Sequence, residues 1–207
     1  LGERFSRVLD AAGATVVISA RRRDRLDALA VDLTEPLVSD GDLTDAAYRE
    51  ELVAATLRRH GHLDILVNNA GANDGGRLEK QTLEDLTSVV DLNLVALMDM
   101  CRLAAPLLFK SEHASVINIA SMYGVVASTT PMAAYNATKG AVVNFTRNLA
   151  AQWGARGVRV NALAPGFFPS EMTGLLADAE SAEWIASRTP RRRTPGPGGT
   201  RWPARVS

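Results

Sequence analysis

Apolar residues along the chain fall into short continuous runs and longer stretches with helical spacing. The continuous runs are typical of strands buried on both faces of a parallel sheet, and they lie at 15–20, 64–68, 115–120 and 158–164. A further short strand is predicted to begin at Pro36. Apolar residues spaced three and four apart predict helices at 1–12, 24–31, 44–60, 82–109, 132–153 and 171–187. This alternation predicts an α/β fold with a doubly wound parallel sheet.

Local signals refine the ends of two of these helices and the interior of a third. Gly13 supplies a stop signal for the first helix, and the Thr44 side chain is suited to cap the helix that ends near His60. Pro106 lies inside the pattern of helix 82–109. Because proline removes a helical hydrogen bond, we expect that a change in the geometry of this long helix, if there is one, lies near Pro106.

Polar or glycine-containing segments follow five predicted strands. In doubly wound sheets, ligands bind outside the carboxyl ends of the strands. The segments found there are Arg21-Arg22, Asp42-Leu43, Asn68-Asn69-Ala70-Gly71, Ser121 and Pro165-Gly166. Each has an ordinary explanation by itself, as a solvated arginine, a loop aspartate, a turn or a capping serine. Their joint position favours a ligand site at this edge of the sheet.

Tyr135 and Lys139 lie four residues apart on a predicted helix, so their side chains share a face. An ammonium near a phenol favours the phenolate, and we therefore expect a Tyr135 pKa below its reference value near 10. Such a tyrosine is a candidate general acid or base, and Ser121 is placed to hold the reacting oxygen. The pair alone is a weak signal, because an ordinary amphipathic pairing has the same spacing. Asn93 lies among leucines in a predicted helix. A polar amide in such a place is usually a core or interface residue whose hydrogen bonds are satisfied.

Composition excludes several classes of function. Lys plus Arg and Asp plus Glu each number 23, so the formal net charge is zero and gives no support to nucleic-acid or acidic-membrane binding. No apolar run is long enough to span a membrane, and no signal peptide is recognisable. The single cysteine, Cys101, cannot form an internal disulfide, is expected in the core, and fits a cytoplasmic protein. The histidines show no metal-ligand spacing, so no metal site is predicted.

Asn-Asn-Ala-Gly at 68–71, Asn93, Ile-Ala-Ser121, Tyr135-x-x-x-Lys139 and Pro165-Gly166 together resemble the motif set of the short-chain dehydrogenase/reductase family. Their order and spacing agree with that family over nearly all of residues 1–187. The resemblance, closest to bacterial carbonyl and 3-oxoacyl reductases, implies a Rossmann-like sheet and a nicotinamide cofactor. It also implies hydride transfer between the nicotinamide and a carbonyl or secondary alcohol carbon of a small molecule.

The resemblance implies a role for each of four catalytic residues. Tyr135 is the proton donor or acceptor, and Lys139 lowers its pKa and holds the nicotinamide ribose. Ser121 orients the substrate oxygen, and Asn93 fixes a water in the proton relay. A homodimer or homotetramer is also implied, because the family often pairs its long helices across a symmetry axis.

The resemblance further implies a set of residues that contact the cofactor. They are Gly2, Arg21, Arg22, Asp42, Leu43, Asn69, Ala70, Gly71, Tyr135, Lys139, Pro165, Gly166 and Ser170. An acidic residue at the end of the second family strand selects NAD, whereas here Ala20 is followed by two arginines. Guanidinium groups bind phosphate bidentately, so NADP(H) is favoured over NAD(H). The alternative is that both arginines only face solvent.

The sequence departs from the family at both ends. The family's first strand and phosphate loop are expected to be missing, with Gly2 as the loop's only surviving glycine, and its last strand is also missing. Residues 188–207 are basic and rich in Pro and Gly, which predicts a disordered tail or a frameshifted segment after an incomplete domain at 1–187. The alternative function is therefore a catalytically inactive fragment with an association role only. A sugar-nucleotide epimerase shares the Tyr and Lys pair but usually needs a larger substrate domain.

Overall fold

Helices and parallel strands alternate in the computed structural model, which describes residues 1–73, 75–128, 130–167, 183 and 187. The helices are α1 (Gly2–Ala11), α2 (Arg23–Ala30), α3 (Ala46–His60), α4 (Leu83–Val90), α5 (Ala96–Leu108) and α6 (Ala133–Trp153). The strands are β1 (Val17–Ala20), β2 (Leu37–Asp40), β3 (Ile65–Asn68), β4 (Ser115–Ile119) and β5 (Arg159–Leu163). The predicted α/β class is confirmed.

The strands form two parallel ladders, β1–β2 and β3–β4–β5. In the described part of the chain no ladder joins β1 to β3. Within each ladder the carboxyl ends are aligned, since Ala20 pairs with Asp40 and Asn68 with Asn118. The segments that follow the strands therefore emerge at the same edge of each ladder.

Continuous apolar strands give each ladder its own buried cluster. The larger cluster packs β3, β4 and β5 against α5 and α6, with Val116, Val142 and Leu108 at 0% exposure. The smaller cluster surrounds Ile18 of β1 and Leu26 of α2. Burial of apolar side chains at this level stabilises a folded chain by roughly 1.5–3 kcal/mol for each large residue. The larger cluster lies directly beneath the candidate site.

The helix predicted at 82–109 is interrupted, but not at the expected place. A π-helix at Asp91–Val95 separates α4 from α5, whereas Pro106 lies inside α5. The expectation of an adjustment near Pro106 was therefore wrong. Proline is accommodated in α5, and the change of helical geometry occurs around the buried Asn93, whose hydrogen bonds are described below. Single π turns inside helices are frequent at functional sites.

Two helix-end predictions had different outcomes. Gly13, with φ +89°, follows the end of α1 and confirms the stop signal. The predicted cap Thr44 was wrong, because Asp45 caps α3 by accepting a hydrogen bond from the Ala47 amide. Thr44 instead donates to Asp42.

The chain divides into two compact units, Leu1–Ala164 and Pro165–Ser207. Of the second unit, the structure describes 165–167 and the helical residues Glu183 and Ser187. The rest of the predicted helix 171–187, and the predicted tail 188–207, lie outside the described residues. The division into a domain at 1–187 and a tail stays a prediction. None of the described helices has both the length and the hydropathy that a membrane span requires.

Candidate active site

Ser121 and Tyr135 are brought together at the carboxyl end of β4. Ser121 is 7% exposed and begins a short 3-10 helix, Met122–Gly124, by accepting a hydrogen bond from the Tyr123 amide at 3.2 Å. Tyr135 lies in the first turn of α6, with its hydroxyl close enough to the Ser121 side chain for the serine to lower the pKa of the phenol. The predicted serine and tyrosine thus form one polar pair.

Lys139 lies beneath this pair, one turn along α6. Its Nζ donates a 2.7 Å hydrogen bond to the Ile119 carbonyl at the end of β4, and it lies 5.7 Å from the centre of the Tyr135 ring. The side chain is buried, with 4% exposure of the residue. An ammonium group carries three donors, and the bond to Ile119 uses one of them. The structure therefore places a buried cation next to the phenol, as the spacing predicted.

Gly124 allows the Ser121 segment to approach α6. A Cβ atom at Gly124 would lie 2.6 Å from both the backbone carbon and the backbone oxygen of Lys139. No side chain fits at that distance, so only glycine allows the 3-10 helix to rest on the α6 backbone. This close approach brings Ser121 to Tyr135. Gly124 was not predicted, although a glycine three residues after the candidate serine was the available signal.

Burial shifts the pKa values of both ionisable groups, each toward its neutral form. Burial raises the pKa of Tyr135, and the hydrogen bond from Ser121 opposes this only in part. Burial lowers the pKa of Lys139 to about 8. The expected lowering of the Tyr135 pKa by Lys139 was therefore wrong for this structure. The physical reason is that the loss of hydration outweighs the attraction of an ammonium that already donates to the Ile119 carbonyl.

Asn93 joins the site from the π-helix. Its side chain is fully buried and clamps the backbone of Ala72, with the Ala72 amide donating to Oδ1 at 2.8 Å and Nδ2 donating to the Ala72 carbonyl at 2.9 Å. Nδ2 also donates to Thr138 Oγ1 at 3.1 Å. The side chain thus fixes the loop that follows β3. Its predicted role in holding a water stays a prediction.

Gly71 is the point where this loop meets the catalytic side chains. A Cβ atom there would lie 3.1 Å from Asn93 Oδ1 and 3.3 Å from Lys139 Nζ. The structure therefore brings together three residues that the sequence analysis singled out separately. Thr138, which was missed, completes the group by donating to the Tyr135 carbonyl at 2.8 Å. Its only sequence signal was its place beside Lys139.

A buried polar ladder supports the floor of the site. Asn68 Nδ2 donates to Asn118 Oδ1 at 2.9 Å, and Asn118 Nδ2 donates to Thr146 Oγ1 at 2.9 Å. Asn118 is 0% exposed, so a missing partner would leave a buried amide unsatisfied. The chain of bonds ties β3, β4 and α6 together just below the strand ends. Asn118 and Thr146 were not predicted, because alternating polar residues in buried elements carry no local signal of pairing.

The predicted cofactor residues occupy the same edge in part. Gly2 at the start of α1 meets the Asn69 side chain, since a Cβ on Gly2 would lie 2.8 Å from Asn69 Nδ2. Asp42 Oδ1 accepts from the amide and the hydroxyl of Thr44, both at 2.9 Å. These bonds lower the pKa of Asp42, and the nearby Arg21 lowers it further. Arg21 and Asp42, which follow the paired strands β1 and β2, are therefore close in space.

The remaining predicted residues have different surroundings. Arg22 is the exposed residue that precedes α2, and Ala70 is exposed in the loop after Asn69. The third arginine of the run, Arg23, is bound to Asp27 and Asp40. Pro165 and Gly166 belong to the second unit, and Ser170 lies outside the described residues. The predicted cofactor contact of Ser170 therefore stays a prediction.

A cavity of about 420 Å³ lies at the start of α6. It is lined by residues 76–79, by the loop before α6 and by the first residues of that helix, and Gly76 and Met132 pair there in an isolated β-bridge. Asn136, the residue after Tyr135, lines it with a buried Oδ1 atom that accepts no hydrogen bond from the described part of the chain. Ligand pockets usually measure about 300–1,000 Å³, so this cavity is large enough for a small organic molecule.

The residues present fit a nicotinamide dinucleotide. Gly71 lacks the Cβ atom that would crowd Asn93 and Lys139, which keeps the strand edge open beside the catalytic cation. Arg21 supplies positive charge beyond the carboxyl end of β1, in the other ladder. A dinucleotide with a reactive ring at one end and a phosphorylated ribose at the other matches this distribution of groups.

Known proteins share the sequence pattern behind this geometry. A family model described as short chain dehydrogenase matches residues 1–181 of the chain. The chain is 33% identical over 198 residues to gluconate 5-dehydrogenase of Gluconobacter oxydans, covering 93% of this chain and 77% of the relative. It is 34% identical over 179 residues to the 3-oxoacyl-acyl-carrier-protein reductase of Chlamydia pneumoniae, covering 84% of this chain and 72% of that protein.

Solved structures give the same result. A gluconate 5-dehydrogenase from Burkholderia cenocepacia, in complex with NADP and tartrate, has a TM-score of 0.82 and 30% identity, covering 91% of this chain and 75% of that one. An actinorhodin polyketide ketoreductase with NADPH has a TM-score of 0.86 and 28% identity, covering 92% and 79%. The predicted Rossmann-like arrangement agrees with both structures.

Proposed function

Since the chain belongs to the short-chain dehydrogenase family, we propose that it is an NADP(H)-dependent oxidoreductase with Tyr135 as its general acid and base. Its substrate is proposed to be a small molecule with a carbonyl or a secondary alcohol. One observation carries this proposal. The half-buried Tyr135 phenol lies beside Ser121 at the end of β4, close enough for the serine to lower its pKa, with the Lys139 ammonium 5.7 Å from the centre of its ring.

Each side chain has a distinct task in the proposed reaction. The bound nicotinamide would supply or accept the hydride. Tyr135 donates its hydroxyl proton to the carbonyl oxygen during reduction, and takes a proton from the alcohol in the reverse direction. Ser121 holds the same oxygen by a hydrogen bond. Lys139, as a cation in a buried site, stabilises the negative charge that develops on Tyr135.

The raised pKa of Tyr135 favours the reductive direction near neutral pH. A tyrosine is protonated below its pKa, so a raised value keeps the proton available for transfer to a carbonyl. Oxidation of an alcohol needs the deprotonated form and therefore favours higher pH. The names of two relatives, a gluconate 5-dehydrogenase and a 3-oxoacyl reductase, support carbonyls on polar or extended carbon chains as the substrate class.

NADP(H) is the proposed cofactor, with NAD(H) as the alternative. Ala20 ends β1 at the position where an acidic residue would repel the extra phosphate, and Arg21 follows it. Two solved relatives are described with NADP and NADPH, which supports the same choice. The single cysteine supports the further prediction of a cytoplasmic location.

Arg21→Ala is expected to raise the Kd for NADPH about tenfold or more and to leave the Kd for NADH within about twofold, because only NADPH carries the phosphate that a guanidinium binds. Titration of the full chain with each cofactor measures this. Arg25→Ala, on the exposed surface of α2, is the matched control and should bind both cofactors like the unmodified protein. Tighter binding of NADH than NADPH by the unmodified protein would overturn the cofactor assignment. No binding of either would favour the association-only alternative.

We propose further that the protein is a homodimer or homotetramer that pairs through α4 and α5. Apolar side chains on this helical surface are exposed, with Leu83 at 76%, Val95 at 45% and Met98 at 42%. Light scattering after size-exclusion chromatography should give at least twice the monomer mass. The V95E/M98E variant should shift to the monomer, because it places carboxylates in the proposed apolar contact. A monomeric mass for the unmodified protein would contradict the proposal.

A further inference from the structure

Arg49 occupies a core position of α3 that an apolar residue would normally fill. The buried residues of this helix are Arg49, Leu52 and Thr56, which lie on one face at helical spacing. Arg49 is 7% exposed, although arginine is almost never buried without partners. Its partners therefore explain why arginine is tolerated there.

The guanidinium of Arg49 has two partners on different elements. Nη1 donates to the Leu43 carbonyl at 2.7 Å, in the loop between β2 and α3. Nε donates to Asp99 Oδ2 at 2.6 Å, and Asp99 lies on α5 with its side chain 17% exposed. Arg102 also donates to Asp99, through Nε to Oδ1 at 2.7 Å. One planar side chain thus ties the loop to α5.

Stability alone does not account for this arrangement. Replacing a buried ion pair by apolar residues of similar volume is often neutral or stabilising, because the ion pair must first lose its hydration. An apolar residue at position 49 would pack against Leu52 equally well. Only a donor can hold the Leu43 carbonyl from inside the fold, and arginine can do so while also pairing with Asp99.

The loop held in this way lies where the cofactor is proposed to bind. Residues 41–44 follow the carboxyl end of β2, at the edge where nucleotides bind in doubly wound sheets. The other side of the same loop carries Asp42, which lies close to Arg21. Gly41 is also covered from within, since a Cβ there would lie 2.2 Å from the Tyr48 ring. The loop is thus fixed from the core and faces the proposed adenosine end of the site.

We propose that Arg49 is a positioning residue for cofactor binding, which holds the Leu43 carbonyl and anchors loop 41–44 to Asp99 of α5. This inference rests on the proposed NADP(H) function. Arg49 does not touch the reacting atoms, so its effect is on the affinity for the adenosine half of the cofactor. Turnover at saturating NADPH is unaffected.

The test compares four variants of the full chain by thermal unfolding and by the Kd for NADPH and for adenosine 2′,5′-bisphosphate. Arg49→Met removes the donor and leaves Asp99 without its buried partner. The R49M/D99L double variant also removes the Asp99 charge, which would otherwise keep only the exposed Arg102 as a partner. Arg49→Lys keeps a cation beside Asp99 but loses the planar fork. Arg58→Met, on an exposed turn of the same helix, is the matched control.

Arg49→Met is expected to lower the melting temperature and to raise both Kd values about tenfold, as the loss of a hydrogen bond to a charged donor implies. The double variant should recover the melting temperature but keep the raised Kd values. Arg49→Lys should unfold near the melting temperature of the unmodified protein and bind several-fold more weakly, and Arg58→Met should change neither property. If the double variant or Arg49→Lys binds both ligands like the unmodified protein, Arg49 is only structural and the inference is overturned. If the unmodified protein binds neither ligand, the proposed function fails instead.

Discussion

Replacement of Tyr135 by phenylalanine is expected to lower turnover about a thousandfold, within the range by which a positioned general acid accelerates a reaction. The variant loses one oxygen atom, the one beside Ser121. The ring of Tyr135 is kept, so its packing is preserved. Steady-state measurement at saturating NADPH gives the turnover number, and titration of the same variant should change the Kd for NADPH far less than the turnover number.

Tyr48→Phe is the matched control for loss of a phenol. The Tyr48 hydroxyl is bonded to Ser19 Oγ at 2.8 Å and to the Ser39 carbonyl at 2.9 Å, far along the chain from the catalytic pair. Its removal should lower stability by about 1 kcal/mol and leave turnover within a few-fold. Equal turnover of Tyr135→Phe and the unmodified protein would remove Tyr135 from the mechanism.

Lys139→Met is expected to lower turnover about a hundredfold or more, because it removes the cation that stabilises charge on Tyr135. The free energy of unfolding of this variant should rise or hardly change. Burial lowers the pKa of Lys139 from 10.5 to about 8, which corresponds to a cost of about 3 kcal/mol at neutral pH. Methionine avoids this cost but leaves the Ile119 carbonyl without its donor, which costs about 1–3 kcal/mol. A residue kept at the expense of stability is typical of a functional site.

The pH dependence of the unfolding free energy shows whether desolvation of Lys139 causes this cost in stability. Between about pH 8 and pH 10.5 the unfolded chain holds a proton on Lys139 that the folded protein lacks, so the unmodified protein gains stability as pH rises. The Met variant lacks this gain. Across this window the unfolding free energy of the unmodified protein should therefore rise by about 3 kcal/mol relative to that of the variant. Chemical unfolding at a series of pH values measures it, and a difference that is constant with pH would show that Lys139 is not desolvated in the folded state.

Patterns confined to one element could be predicted from the sequence. The apolar runs predicted β1 and the strands β3 to β5, and the same runs located the polar segments that follow at the strand ends. Tyr135 and Lys139 needed only helical spacing to be placed on one face of α6. These inferences succeed because the apolar period and the burial of parallel strands depend on local sequence.

Features that depend on distant contacts could not be predicted. The π-helix at Asp91–Val95 forms where Asn93 bonds to Ala72, which is 21 residues earlier in the chain. The buried Arg49 pairs with Asp99 across 50 residues, and neither position carries a local sign of the other. The direction of the Tyr135 pKa shift was wrong for the same reason, because burial is set by the whole fold and outweighs a neighbour known from spacing alone.

Transfer of deuterium from NADPH to the product tests the central claim most directly. The full chain is incubated with NADPH deuterated at the reactive carbon of the nicotinamide and with 5-ketogluconate or a 3-oxoacyl thioester. Both hydrogens of that carbon are replaced by deuterium, so that the label is transferred from either face of the ring. The product alcohol is then analysed by mass spectrometry. Hydride transfer predicts an alcohol with one deuterium on the former carbonyl carbon, formed in step with NADPH consumption. Unlabelled product, or no consumption of NADPH with either substrate by a folded protein that binds it, would contradict the account.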